Sequence, residues 1–315
     1  MWQIYDYVGD LPRFVQAECK KTHGNLEKVV GFHYFCGEKK NVMNMQADYI
    51  QQIVIKGLWG KKNIRWDLRP DVNILSGANG LGKSTIVNQS VTTLDLLGGG
   101  NMGNGSEPGV YFKFHPDNAT RIHYDVIRSF DRPLIHSELM EKLADKNVRT
   151  ELDWQLYKLQ RRYLDYQVNI GNRIIECLTS GDPDGQQKAA LIAQPKAKFQ
   201  DLIDDLFSET NKRLVRTSNE IRLEQYGDVL HPYQLSSGEK QMLVILLTVL
   251  VQDNRKGVLF MDEPEISLHV DWQERLIGLI RSLNENVQII LTTHSPALVM
   301  NEWMDAVTEI SDITE

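Results

Sequence analysis

The chain has 315 residues, enough for one large domain or two small ones, with the 42% apolar and 24% charged content of an ordinary soluble globular protein. Its net charge of −7 excludes a surface that binds nucleic acid over its whole extent, though not a local basic patch. Three scattered cysteines (Cys19, Cys36, Cys177) make no disulfide framework, residues 1–10 lack the apolar core of a signal peptide, and the longest apolar run, 242–251, is too short for a bilayer, so a cytoplasmic protein without membrane insertion is expected.

Residues 1–50 show no clean period and are set apart as an N-terminal extension. Ile53-Val54-Ile55 and the run from Ile64 to Leu68 read as two antiparallel strands joined by a turn over 56–62. A short apolar strand, Val72-Asn73-Ile74-Leu75, runs into glycines and then into an amphipathic helix over about 83–97. A glycine-rich loop over 98–105 leads to strands over 110–114 and 121–127, and this half is expected to hold a mixed sheet. From 137 to about 214 the pattern turns helical. Leu152, Leu156, Leu159, Tyr163, Tyr166, Ile170, Ile174 and Cys177 form a heptad-like stripe, and a second helix is expected over 198–213. The pair forms either an antiparallel helical arm or lobe, or ordinary packing onto the core lobe. Then come a helix over 238–251, a strand over 258–261, a helix over 271–283 and a strand over 288–291, an order that implies parallel pairing through right-handed crossovers.

Four motifs carry chemistry. Gly77-Ala78-Asn79-Gly80-Leu81-Gly82-Lys83-Ser84-Thr85 fits G-x-x-x-x-G-K-[ST], between a buried strand and a helix. Glycines let backbone N–H groups wrap a polyphosphate, the helix N-terminus adds its positive end, Lys83 would reach the β- and γ-phosphates, and Ser84 would ligate Mg2+. The strand Val258-Leu259-Phe260-Met261 ends in Asp262-Glu263, where Asp262 would hold the Mg2+ shell and Glu263 would act as the base toward the attacking water. Leu235-Ser236-Ser237-Gly238-Glu239-Lys240-Gln241 precedes an apolar helix, with Ser236 as N-cap and Glu239 completing a capping box. Such a helix start can be purely structural, or its free N–H groups can meet the γ-phosphate of a nucleotide held by another subunit. The fourth motif, Thr292-Thr293-His294-Ser295-Pro296, places a histidine at the next strand end, in reach of a phosphate or water.

In this order the motifs resemble the Walker A, signature, Walker B and switch-histidine elements of the ABC ATPase superfamily, and Glu265-Ile266-Ser267-Leu268-His269 resembles its D-loop. Glu239 stands where transporter signatures carry Gln, which is similar to the SMC, RecF and OLD branch of soluble ABC ATPases. The resemblance covers about 53–97 and 230–300. It implies a P-loop α/β core lobe formed by 51–134 and 231–315, with a helical insert over 135–230. It further implies a head-to-tail homodimer, or a higher oligomer, in which Lys83 of one copy faces Ser236 and Gly238 of the other across ATP and Mg2+. Stand-alone proteins of this type occur in anti-phage and toxin-like operons, so a switch or clamp with a separate nuclease or toxin effector, acting on nucleic acid, is expected. Only 21 residues follow His294, so the effector is expected to be another chain.

The motifs also fit an ATPase subunit of a membrane transporter, but the long insert, Glu239 and the sequence Arg128-Ser129-Phe130-Asp131, where a Q-loop glutamine belongs, point away from it. A slow nucleotide-gated scaffold that restrains a partner would need the same residues. Cys19, His23, His33 and Cys36 offer zinc-ligand types in a non-standard spacing, and Lys61-Lys62 offers a small basic patch on a turn.

Overall fold

Strands with both faces buried read as near-continuous apolar runs, and three such runs organise this chain. The computed structural model describes residues 45–99, 107–128, 147–300 and 302–315. In chain order, β1 (Gln46–Ala47), β2 (Tyr49–Leu58), β3 (Lys62–Asp67) and β4 (Val72–Ser76) lead to α1 (Lys83–Leu96). Next come β5 (Gly109–His115), β6 (Arg121–Ile122) and β7 (Tyr124–Arg128), then the long helices α2 (Glu151–Thr179) and α3 (Gly185–Leu206). Three short strands, β8 (Lys212–Leu214), β9 (Leu223–Gln225) and β10 (Asp228–Leu230), precede α4 (Ser237–Val251), β11 (Gly257–Asp262), α5 (Val270–Leu283), β12 (Val287–Thr292) and β13 (Val307–Glu309).

The central sheet has the order β13-β4-β12-β11-β7 and every pairing in it is parallel. Period-two alternation sends Ile74, Leu259, Met261, Ile289 and Leu291 to one face, where they pack with α2, α3, α4 and α5. Leu75, Val258, Phe260 and Ile290 go to the other face and share a core with α1 and the antiparallel sheet β3-β2-β5. The α/β class expected from the sequence is therefore the one observed. The mixed sheet resolves into two sheets, one parallel and one antiparallel, with α1 packed in the core they share.

Three expectations need correction. The strand read over 121–127 is split at His123, whose carbonyl accepts from Val258 N at 2.9 Å as the chain crosses between sheets: Arg121–Ile122 pairs with β1, while Tyr124–Arg128 joins the parallel sheet. The turn over 56–62 is mostly strand, because β2 continues to Leu58. The second helix starts at Gly185 rather than 198 and stops at Leu206, where Asp204 Oδ1 accepts from Leu214 N at 2.7 Å and turns the chain back into β8.

Of the two readings of the helical pair, the structure favours packing. Thr150 and Asp153 close a capping box at the start of α2. Leu152, Leu156, Leu159, Tyr163, Tyr166 and Ile170 are buried in the core that also holds α4, while Val168, Ile175 and Leu178 are exposed on the C-terminal half of α2. The candidate zinc residues Cys19, His23, His33 and Cys36, the segment Ser129-Phe130-Asp131 and most of the 98–105 loop lie outside the described residues. None of the described helices is long and apolar enough to cross a membrane.

Candidate functional site

The parallel strands β4, β11 and β12 all deliver their C-terminal ends to one edge of the sheet, where open α/β folds bind ligands. From β4 the chain passes through Gly77, Gly80 and Gly82, all with left-handed backbone (φ 148°, 81° and 103°), and enters α1 at Lys83. Gly82 is required by its backbone and is also close to a side chain. Beyond its positive φ, a Cβ there would collide with the indole of Trp59. Around this loop lies an open pocket of about 490 Å³ lined by Trp59, Asn79, Gly80, Gly82, Lys83, Ser84, Thr85, Glu263 and His294. Ser84 also lines a neighbouring cavity of about 650 Å³ together with Asp262, Asn88 and Glu151.

Lys83 is 4% exposed, and its ammonium donates to the carbonyls of Gly77 at 2.7 Å and Ala78 at 3.2 Å. Burial lowers its pKa below the ordinary lysine value, and the carboxylates of Glu263, Asp262 and Glu265 act in the opposite direction without cancelling it. His294 bridges the centre. Its Nδ1 lies 3.4 Å from Lys83 Nζ and its Nε2 lies 3.0 Å from Glu263 Oε1. Thr292 Oγ1 donates to Asp262 Oδ1 at 2.6 Å and accepts from Glu263 N at 3.1 Å. Glu263 itself is held with φ 49°, a left-handed conformation that a non-glycine residue keeps only when its surroundings impose it. The structure thus gathers Lys83, Ser84, Asp262, Glu263 and His294 at one sheet edge.

The segment from Leu235 to Gln241 behaves differently. Ser236 caps α4, with its Oγ accepting from Glu239 N at 3.3 Å and donating to Glu239 Oε2 at 2.9 Å. Ser236 and Ser237 are exposed, and none of the described residues lining the 490 Å³ pocket comes from this segment. A Cβ on Gly238 would run into the Ser267 carbonyl oxygen, so this glycine is where the segment abuts the loop after β11. The helix start is capped, outward-facing and separate from the pocket of its own chain.

Sequence reasoning missed Trp59, which is 52% exposed, has φ 53° and forms a wall of the pocket. The available signal was an aromatic residue in a glycine-flanked hairpin turn, Leu58-Trp59-Gly60. It also gave Thr292 no role, although that hydroxyl ties together the two acidic residues. Among the described residues no group of three or more His, Cys, Asp and Glu side chains could hold a metal ion by itself. Ser84 and Asp262, which line the 650 Å³ cavity together, are hard oxygen ligands of the kind Mg2+ takes beside substrate phosphates and water.

Residues 111–301 match the model of a family described as AAA domain, putative AbiEii toxin, Type IV TA system. The chain is 23% identical over 187 residues to the Retron Vc95 probable ATPase of Vibrio cholerae serotype O1 biovar El Tor, a match covering 55% of this chain and 35% of that protein. It is 25% identical over 309 residues to the Septu protein PtuA of Bacillus thuringiensis, covering 79% of this chain and 72% of PtuA. Among solved structures, a Smc head bound to the C-winged helix domain of ScpA aligns over 80% of this chain and 91% of its own, at 17% identity and a TM-score of 0.47. The chain spans only about a third of the retron protein's length.

Proposed function

The chain belongs to the AAA-domain family described as putative AbiEii toxin, Type IV TA system, and from that premise we propose that it is an ATP-binding and ATP-hydrolysing switch of the ABC type. The observation that carries this reading is the convergence of Lys83, Glu263 and His294 on a glycine-lined pocket at the C-terminal edge of a parallel sheet. The N–H groups of 77–85 and the Lys83 ammonium hold the phosphates, and the exposed Trp59 ring offers a base a stacking surface. Ser84 and Asp262 would hold Mg2+, which when bound neutralises charge on the phosphates. Glu263 orients and deprotonates the attacking water, and His294 links it to Lys83.

The outward-facing start of α4 supports a site completed in trans, with Ser236 and Gly238 of one copy closing over the nucleotide of another. Two copies would therefore close on ATP and reopen on hydrolysis, a population shift driven by differential affinity for ATP over ADP. In this scheme 51–134 and 231–315 form the nucleotide lobe and 135–230 the helical insert. One relative is the probable ATPase of a retron and another a Septu protein, and the motifs resemble those of ATPases from anti-phage operons, which supports a defence setting for this chain, with a separate effector and nucleic acid as its target. Equilibrium ATP binding and turnover test the reading. Lys83→Ala should lose ATP binding, and Glu263→Gln should keep binding while losing turnover. Wild-type protein that binds no ATP, or a Lys83→Ala variant that binds it normally, would refute the assignment.

A further inference from the structure

Glu265 is a carboxylate to which the nucleotide reading gives no task, yet it is among the most heavily engaged side chains of the site. Its Oε1 accepts from Thr293 Oγ1 at 2.6 Å, from His294 N at 2.8 Å and from Ser295 N at 3.3 Å. Its Oε2 is buried without a hydrogen-bond partner. The loop is gripped from the other side as well: Ser295 Oγ donates to Gln273 Oε1 at 2.6 Å, and Gln273 Nε2 donates to the Leu268 carbonyl at 2.9 Å. One oxygen therefore pins three successive residues after β12, and the middle one is His294.

This placement has a consequence for the reacting groups. The imidazole spans Lys83 Nζ and Glu263 Oε1 with contacts of 3.4 and 3.0 Å, so a loop shift of one ångström would break one or both. Thr293 is 2% exposed and its hydroxyl is committed to Glu265. Bonds from neutral donors to a carboxylate are charge-assisted, stronger than those an amide would accept. A glutamine here would also point an amide NH2 to where the unpartnered Oε2 now sits.

We infer that Glu265 is a positioning residue that sets His294, and through it the Glu263 carboxylate that activates the water attacking the terminal phosphate; the inference rests on the hydrolysis reading above. It acts without touching the nucleotide. Its loss therefore lowers turnover and leaves ATP affinity intact.

Two readouts on the full chain test this. In single-turnover assays, Glu265→Ala lowers the rate by about 100-fold with Kd for ATP changed by less than about threefold, and Glu265→Gln, which keeps one acceptor, recovers part of the loss. The double variant Glu265→Ala/His294→Ala is no slower than His294→Ala alone, because one residue works through the other. The second readout needs no turnover. The His294 imidazole resonance, identified by its disappearance in His294→Ala, changes chemical shift at fixed pH in Glu265→Ala, and part of the way in Glu265→Gln should the alanine variant not fold. Additive rate losses, or an unmoved His294 resonance, overturn the inference. If wild type turns over no ATP, the functional reading fails, and the imidazole resonance still decides whether Glu265 places His294.

Discussion

Glu263 and Gly238 occupy backbone conformations or spaces that other residues fill only at a cost, and each predicts a distinct phenotype. Glu263 keeps φ 49° because its N–H is shared between the carbonyl and the hydroxyl of Thr292, both at 3.1 Å. Glu263→Gln preserves shape and removes the base, so turnover should fall about 100-fold or more in a phosphate-release assay while Tm stays near wild type. Gly238→Ala drives a methyl group into the Ser267 carbonyl. Backbone cannot step aside as a side chain does, so the variant should lose about 1–3 kcal/mol in urea unfolding, and its turnover should fall because the loop carrying Glu265 shifts. Trp59→Ala should weaken ATP binding by roughly 1–3 kcal/mol if the ring stacks on the base, measured by calorimetry.

At the scale of elements, the start of α4 is fastened to the helical region by two buried ion pairs formed by adjacent residues. Glu239 accepts from Lys212 Nζ at 2.8 Å, and Lys240 pairs with Asp153 at the start of α2, also at 2.8 Å. Thr210 Oγ1 adds a 2.9 Å bond to Glu239, which accounts for an acid at this position: an amide could not accept from Lys212, Thr210 and Ser236 together. Lys212→Ala strands a carboxylate that is 3% exposed and should cost about 3–5 kcal/mol, more than Lys212→Met combined with Glu239→Gln. The pH dependence has a definite sign. Burial works to raise the Glu239 pKa, but the bonds from Lys212, Ser236 and Thr210 outweigh it and hold it below the ordinary glutamate value. The stabilisation is therefore complete above that value and is lost as pH falls through the lower, folded-state value. Glu239→Gln should flatten this acid limb of a stability-versus-pH curve.

The same elements show what could be read from sequence and what could not. The strands ending in Asp262 and Thr292 were legible because burial on both faces leaves a run of apolar residues, interrupted in β12 by Gln288 alone, with a polar end. The phosphate loop was legible because its glycines are required by φ. The strands β8, β9 and β10 were not: each has three residues, too few to show a period, and their pairing depends on Asp204 turning the chain. Trp59 and Glu265 were hidden for another reason. Their place beside the loop and the histidine follows from tertiary contact between segments far apart in sequence.

At the scale of the whole molecule, two features of the site stand apart. The pocket and the capped start of α4 belong to one chain, yet the second does not line the first. If the site is completed between copies, two defective chains can repair each other. Lys83→Ala destroys the pocket and leaves Ser236 sound, whereas Ser236→Arg blocks the helix start and leaves the pocket sound. Each variant alone should be inactive. Mixed in equal amounts, they should regain about a quarter of wild-type ATP turnover, since half of the randomly formed dimers are mixed and each has one intact site of two. A mixture as inactive as its components, or a Ser236→Arg variant that hydrolyses ATP normally by itself, would contradict the composite site.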